Sequence, residues 1–178
     1  MAKLAQKERT MWYAVQVKTG EEEKTKLLCN KMISKEILEE CFIPYYEQKK
    51  KYINKWHITN EILFPGYIFM VSNQIDDLIA GVKKIPKLIK ILGNEKEIIP
   101  LYDKEIEFLM RFGKKEHLIK MSYGYIENDK IIITDGPMKD YEGIVKKIDR
   151  HKRKAIIEVE FFGRTMEVSV GVEIARKI

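Results

Sequence analysis

The stretch "VKKIDRHKRKAIIEVEFF", Val145–Phe162, sets six Lys or Arg and one His against a single Asp between Lys146 and Lys154. Apolar runs flank it, "EGIV" before and "AIIEVEFF" after, so it reads as a β-hairpin with a cationic tip. Outward from it lie further short strands, "KIIIT", "TMEVSV" and "VEIA", punctuated by Asp135–Pro137, Gly143, Gly163 and Gly171. Five short strands in about fifty residues predict a small β-barrel over residues 127–178. From Glu127 to Ile178 there are 11 Lys or Arg and 10 Asp or Glu. The segment is thus near neutral, and its cations are gathered into a patch of the kind that nucleic acids feel.

Upstream the texture differs. "WYAVQV", Trp12–Val17, reads as a strand that Gly20 breaks. Three glutamates then open a helix where the macrodipole favours negative charge, with Leu27, Leu28, Met32 and Ile33 on one face. "EECFIPYYEQ" reads as a strand ended around Pro44, and "KKKYINKWHITNEILFPGYIFMVS" as a basic hairpin whose return strand breaks at Pro65–Gly66. A short helix begins at Asp76 and Asp77, "KLIKIL" is a strand, and "YDKEIEFLMRF" is a helix capped by Asp103 with Ile106, Leu109 and Met110 inward. This order predicts an α+β chain, with an N-terminal α/β sandwich of helices on an antiparallel-type sheet. Residues 113–126 have weak periodicity and are expected to be a linker. The expected organisation is a disordered tail at 1–10, a first domain at 11–112, the linker, and the barrel.

A chain of 178 residues, 45% hydrophobic and 34% charged, fits a folded soluble protein. It lacks the run of roughly 20 apolar residues that spans a bilayer, and its polar start lacks a signal-peptide core, so a cytoplasmic protein without a membrane partner is expected. Cys29 and Cys41 sit in no metal-ligand spacing and read as reduced packing thiols. His57, His117 and His151 have no sequence-local base, nucleophile or metal spacing, and no Gly-rich phosphate loop occurs. No catalysis, metal or cofactor is expected.

"MWYAVQVKTGEE", "FPGYIFM", "KLIKIL", "PLYDKEIEFL" and "DGPMKDYEGIVKKI" with "IIEVEFFGRTMEVSV" resemble, in this order, the NusG transcription elongation factors. The resemblance covers nearly the whole chain from Met11. It implies an NGN domain that grips a coiled-coil of the RNA polymerase clamp and reaches toward the opposite lobe, and an SH3-like KOW barrel that recruits another partner. Trp12, Tyr13, Phe64, Pro65, Gly66 and Tyr67 match the gripping surface, with Phe64 expected to be the exposed member. On the barrel, Met138, Tyr141, Phe161 and Phe162 fall on the rim that faces a protein partner. Phe is usual at positions 138 and 141 in members that engage the termination factor Rho or a small ribosomal-subunit protein.

The basic tip admits three readings: a solvated turn, a protein contact, or an electrostatic footprint for RNA phosphates. Solubility needs only one or two cations, and Arg forks clamp phosphate bidentately or stack on bases, which favours RNA. Lys139, Lys146, Lys147, Arg150, His151, Lys152, Arg153, Lys154 and Arg164 are the candidate ligands. Lys49, Lys50, Lys51, Lys55 and Trp56 interleave cations with an aromatic as single-strand binders do, and in the family this region lies toward the upstream DNA fork. Together these features resemble most the LoaP group of specialised paralogues, which implies processive antitermination at particular operons and recognition of a structured leader RNA. The alternative is a general elongation factor whose barrel binds Rho or a small ribosomal-subunit protein. The protein is expected to be a monomer.

Overall fold

The computed structural model describes residues 10–94 and 96–175, with backbone alone at Ile89, so all of the expected tail at 1–10 but Thr10 lies outside the described residues. The chain divides into two compact units, Met1–Ile43 with Pro65–Leu101, and Pro44–Phe64 with Tyr102–Ile178.

The first unit is built on a four-stranded sheet in the order β2-β5-β1-β6. Strand β1 (Met11–Val17) is central, paired antiparallel with β5 (Tyr67–Ser72) and with β6 (Leu88–Ile91). Strand β2 (Glu40–Phe42) closes the other side against β5. Tyr13, Ala14, Val15 and Val17 are all buried, as a strand covered on both sides requires. Helices α1 (Glu22–Met32) and α2 (Ile75–Val82) belong to the same unit. Helix α1 buries Glu22, Thr25 and Cys29. The apolar face expected from its sequence is turned otherwise, with Leu27 64% and Met32 50% exposed. Cys29 and Cys41 are buried and free, and the Cys29 thiol beside Cys41, together with burial, pushes the Cys41 thiol far up.

Glu22 explains the turn of the α1 face. Its buried carboxylate accepts the backbone N–H of Gly20 at 2.7 Å and of Gly66 at 2.8 Å, so it ties the α1 entrance to the Pro65–Gly66 turn. Gly66 has φ +84°, and a Cβ there would meet Thr19 Oγ1 at 3.0 Å.

The second unit carries two sheets. Strands β3 (Tyr45–Tyr52) and β4 (Lys55–Ile62) form a hairpin through Ile53 and Asn54, both in the left-handed region, with β7 (Leu118–Ile119) added parallel to β3. Helix α3 runs Asp103–Gly113. Tyr102, not Asp103, precedes the first turn, and its N–H is taken by Glu105 Oε2 at 2.6 Å. Leu109 is inward, whereas Met110 is 40% exposed, and Phe112 takes the inward place.

The five-stranded sheet runs β10-β11-β12-β8-β9. Its members are β8 (Ser122–Glu127), β9 (Lys130–Asp135), β10 (Val145–Asp149), β11 (Lys154–Phe161) and β12 (Arg164–Ala175). Along β11, Ala155, Ile157, Val159 and Phe161 alternate inward with period two. The segment expected as a linker holds β7 and most of β8, while "TMEVSV" and "VEIA" form one strand, β12. Gly171 lies inside β12 rather than at a break, since a Cβ there would fall 2.1 Å from the Glu47 carbonyl oxygen of β3. Among the described residues no helix is long and apolar enough to cross a membrane.

Replacing Glu22 with Ala leaves the buried Gly66 N–H without its acceptor. A loss of about 1–3 kcal/mol is expected in urea unfolding, with partial recovery in Glu22→Gln, which keeps one acceptor oxygen.

Candidate nucleic-acid interface

The basic turn between β10 and β11 is built by Asp149, paired in register with Lys154. The Asp149 carboxylate accepts the Lys152 N–H at 2.9 Å, which holds its pKa below the usual range. Arg153 completes the turn in the left-handed region at φ +50°. Lys146, Lys147, Arg150, His151 and Lys152 are exposed, and Lys154 is half-buried. Lys146 pairs with Glu158 of β11 at 3.0 Å. Arg153 is directed inward, where its guanidinium meets Glu173 at 2.7 Å and lies 3.4 Å from the Trp56 ring centre.

That stack brings together two stretches far apart in the sequence. The β3–β4 hairpin pairs Lys51 with Trp56, Lys50 with His57 and Tyr52 with Lys55. Lys49 pairs with Glu173 and sits 5.2 Å from the Tyr123 ring, and Gln48 Nε2 donates to the Lys152 carbonyl at 3.1 Å. Lys50 is bound to Glu61 at 2.5 Å. Lys51 and Lys55 are exposed, and Ile53 at the tip is 97% exposed. Glu173, to which no role was assigned in the sequence, joins the two hairpins. Only the Trp among the lysines hinted at it.

Two candidates lie elsewhere. Arg164 follows the turn at the far end of β11, roughly 25 Å along that eight-residue strand from the basic turn. Lys139 lies in the turn whose Tyr141 packs on Phe112 of α3 at 5.0 Å. Neither belongs to the cationic cluster.

The aromatic candidates require correction. Phe64, expected to be exposed, is 1% exposed and packs on Phe161 at 4.7 Å and Phe162 at 5.8 Å. Phe108 of α3 touches Phe161 from another side at 5.6 Å. Phe161 is therefore buried, and Glu105 Oε1 accepts the Phe162 N–H at 2.7 Å. Met138, expected on the partner-facing rim, is fully buried with its N–H on Ser122 Oγ. Tyr141 is half-buried and bonded to Arg111. Phe64, Phe161 and Tyr141 share one reason, the packing of α3 and residues 44–64 on the barrel at that rim, whereas Met138 is turned inward within its own local turn. In the first unit, Trp12 meets Phe42 edge-on at 5.3 Å, Tyr13 and Gly66 are buried, Tyr67 is half-buried and Pro65 is exposed. Burial pushes the Tyr13 hydroxyl pKa up.

The family described as transcription termination factor nusG matches residues 10–110, and the KOW motif matches residues 127–160. The chain belongs to the NusG family of transcription termination/antitermination factors. It is 25% identical to the protein named transcription termination/antitermination protein NusG of Campylobacter jejuni, across 94% of this chain and 97% of that one. To the protein of the same name from Borreliella burgdorferi it is 27% identical, across 94% and 98%. A solved structure described as domain interaction in Thermotoga maritima NusG shares the fold, with a TM-score of 0.60, 23% identity, and coverage of 93% of this chain and 94% of that one.

Because Phe64 is a core side chain of the second unit, Phe64→Ala should behave as a core truncation. A loss of about 3–5 kcal/mol is expected in chemical unfolding. A change below about 1 kcal/mol would mean the ring is not packed there.

Proposed function

We propose that this protein is a specialised antitermination factor of the LoaP kind, acting in the cytoplasm as a monomer. On this reading it rides on RNA polymerase and binds a structured leader RNA through the β10–β11 turn. The carrying observation is the turn itself: Arg150, His151 and Lys152 are exposed together on a backbone held by the Asp149 carboxylate. A presented cluster of this kind neutralises phosphates and releases their counterions. A structured RNA offers it a loop or a widened groove, since an undistorted A-form major groove is too narrow for side chains.

Trp12, Tyr13, Pro65, Gly66 and Tyr67 are the polymerase-binding candidates of the first unit, directed at the clamp coiled-coil, with a further contact to the opposite lobe. Phe64 joins them only if Phe161 and Phe162 come away from it. The alternative, a general elongation factor whose barrel engages Rho or a small ribosomal-subunit protein, needs the rim of Met138, Tyr141, Phe161 and Phe162. Burial of Met138 and Phe161 weighs against that use of the rim in this arrangement.

The test is a titration of the full chain with leader RNAs from its own genome. The Arg150→Glu/Lys152→Glu variant should lose binding, and the unsubstituted chain should show log K falling with log salt at a slope of about −3. Equal affinity of variant and unsubstituted chain would refute the turn as the RNA site.

A further inference from the structure

Some cations of the two hairpins are ion-paired and others face solvent. Lys49 and Arg153 both pair with Glu173, Lys50 with Glu61, and Lys146 with Glu158. These four cations are held by three carboxylates, Glu173 serving two of them. Lys51, Arg150 and Lys152 are exposed, with their charge directed to solvent. Residues directly opposite in an antiparallel pair share a face, so Lys51 stands beside Trp56. One face of the Trp56 ring is covered by the Arg153 guanidinium, yet the residue remains 42% exposed. Beside it opens a groove of ≈ 400 Å³ lined by Trp56, Arg150, His151, Arg153, Glu173 and Ile174.

We propose that the two hairpins form a single RNA-binding platform, in which Trp56 stacks an unpaired base while Lys51, Arg150 and Lys152 hold the phosphates on either side of it. This rests on the RNA reading above and extends it to the β3–β4 hairpin. Arg153 is then a positioning residue. Its planar guanidinium, fixed by Glu173, covers the inner face of the indole and leaves the outer face for a base, so the order is guanidinium, indole, base. A cation on one face also suits the ring's negative π-surface. Stacking of this kind tolerates any base, so the platform supplies affinity and orientation for a loop nucleotide rather than its identity. The Gln48 side chain on the Lys152 carbonyl holds the two halves of the platform in register.

The experiment uses the full chain and two probes, an RNA stem–loop with an unpaired loop and a blunt RNA duplex of the same stem, at low salt. Binding of the stem–loop should quench Trp56 fluorescence, and binding of the duplex should not. Trp12 contributes a constant background. Trp56→Ala should weaken stem–loop binding about tenfold and abolish the quench, while Trp56→Phe, which keeps a ring, should retain most of the affinity. Lys51→Glu, at an exposed position, should weaken both probes and make the salt slope shallower by about 0.7–0.9. Arg153→Lys keeps the charge without the planar cover and should reduce the stem–loop preference more than duplex binding.

If Arg150→Glu/Lys152→Glu abolishes binding while Trp56→Ala and Lys51→Glu leave affinity, quench and slope unchanged, the platform is overturned and the turn alone is the RNA site. If none of the variants alters binding, or the unsubstituted chain binds neither probe, the RNA reading fails and the platform with it.

Discussion

Two backbones approach so closely in the second unit that only glycine fits between them. The Glu47 carbonyl of β3 lies where a Cβ on Gly171 of β12 would have to be, and the same site admits the Met121 thioether. That approach seats the β3–β4 hairpin on the five-stranded sheet. Around that seat Lys49 and Arg153 converge on Glu173, Trp56 is covered on one face, and Phe64 packs under Phe161 and Phe162. The aromatic contacts give the seat its apolar half, and the carboxylates of Glu47, Glu105 and Glu173 give it directed hydrogen bonds and ion pairs.

The arrangement commits one set of aromatic residues to packing within the second unit. Phe64, Phe108, Phe112, Phe161 and Tyr141 form a continuous aromatic contact within the unit. A chain that uses Phe64 against the polymerase must first give up those contacts, whereas a chain that binds RNA on both hairpins keeps them.

Much of the fold could be read from the chain, where neighbours in sequence are also neighbours in space. Strand β1, the helices, the β3–β4 hairpin and the β10–β11 hairpin all have local periodicity, and the Asp149 turn closes over four residues. Most of what the sequence does not show depends on partners distant along the chain. Strand β7 lies in the expected linker and pairs in parallel with distant Tyr45–Tyr46, whereas β8 pairs both locally, with β9 through the Asn128–Asp129 turn, and in parallel with distant Val172–Ala175, and its mixed polarity hides it in the sequence. The expected exposure of Phe64 fails because its burial depends on Phe161 and Phe162, rings far downstream. Met138 was read by comparison with a rim residue, while the local turn points it inward with its N–H on Ser122. In α1 the buried carboxylate of Glu22 overrode the apolar face, a choice set by Gly66 across the fold. The cationic patch was plain in the sequence, and its division into ion-paired and solvent-facing charges was not, because Glu173 is the arbiter.

The most direct measurement is a nuclear Overhauser spectrum of the free full chain with labelled aromatic and arginine side chains. Ring-to-ring cross-peaks between Phe64 and Phe161, together with contacts from the Trp56 indole to the Arg153 side chain, are the expected result. A spectrum lacking both sets, with Phe64 and Trp56 ring shifts at solvent-exposed values, would contradict the seating of the hairpin on the barrel.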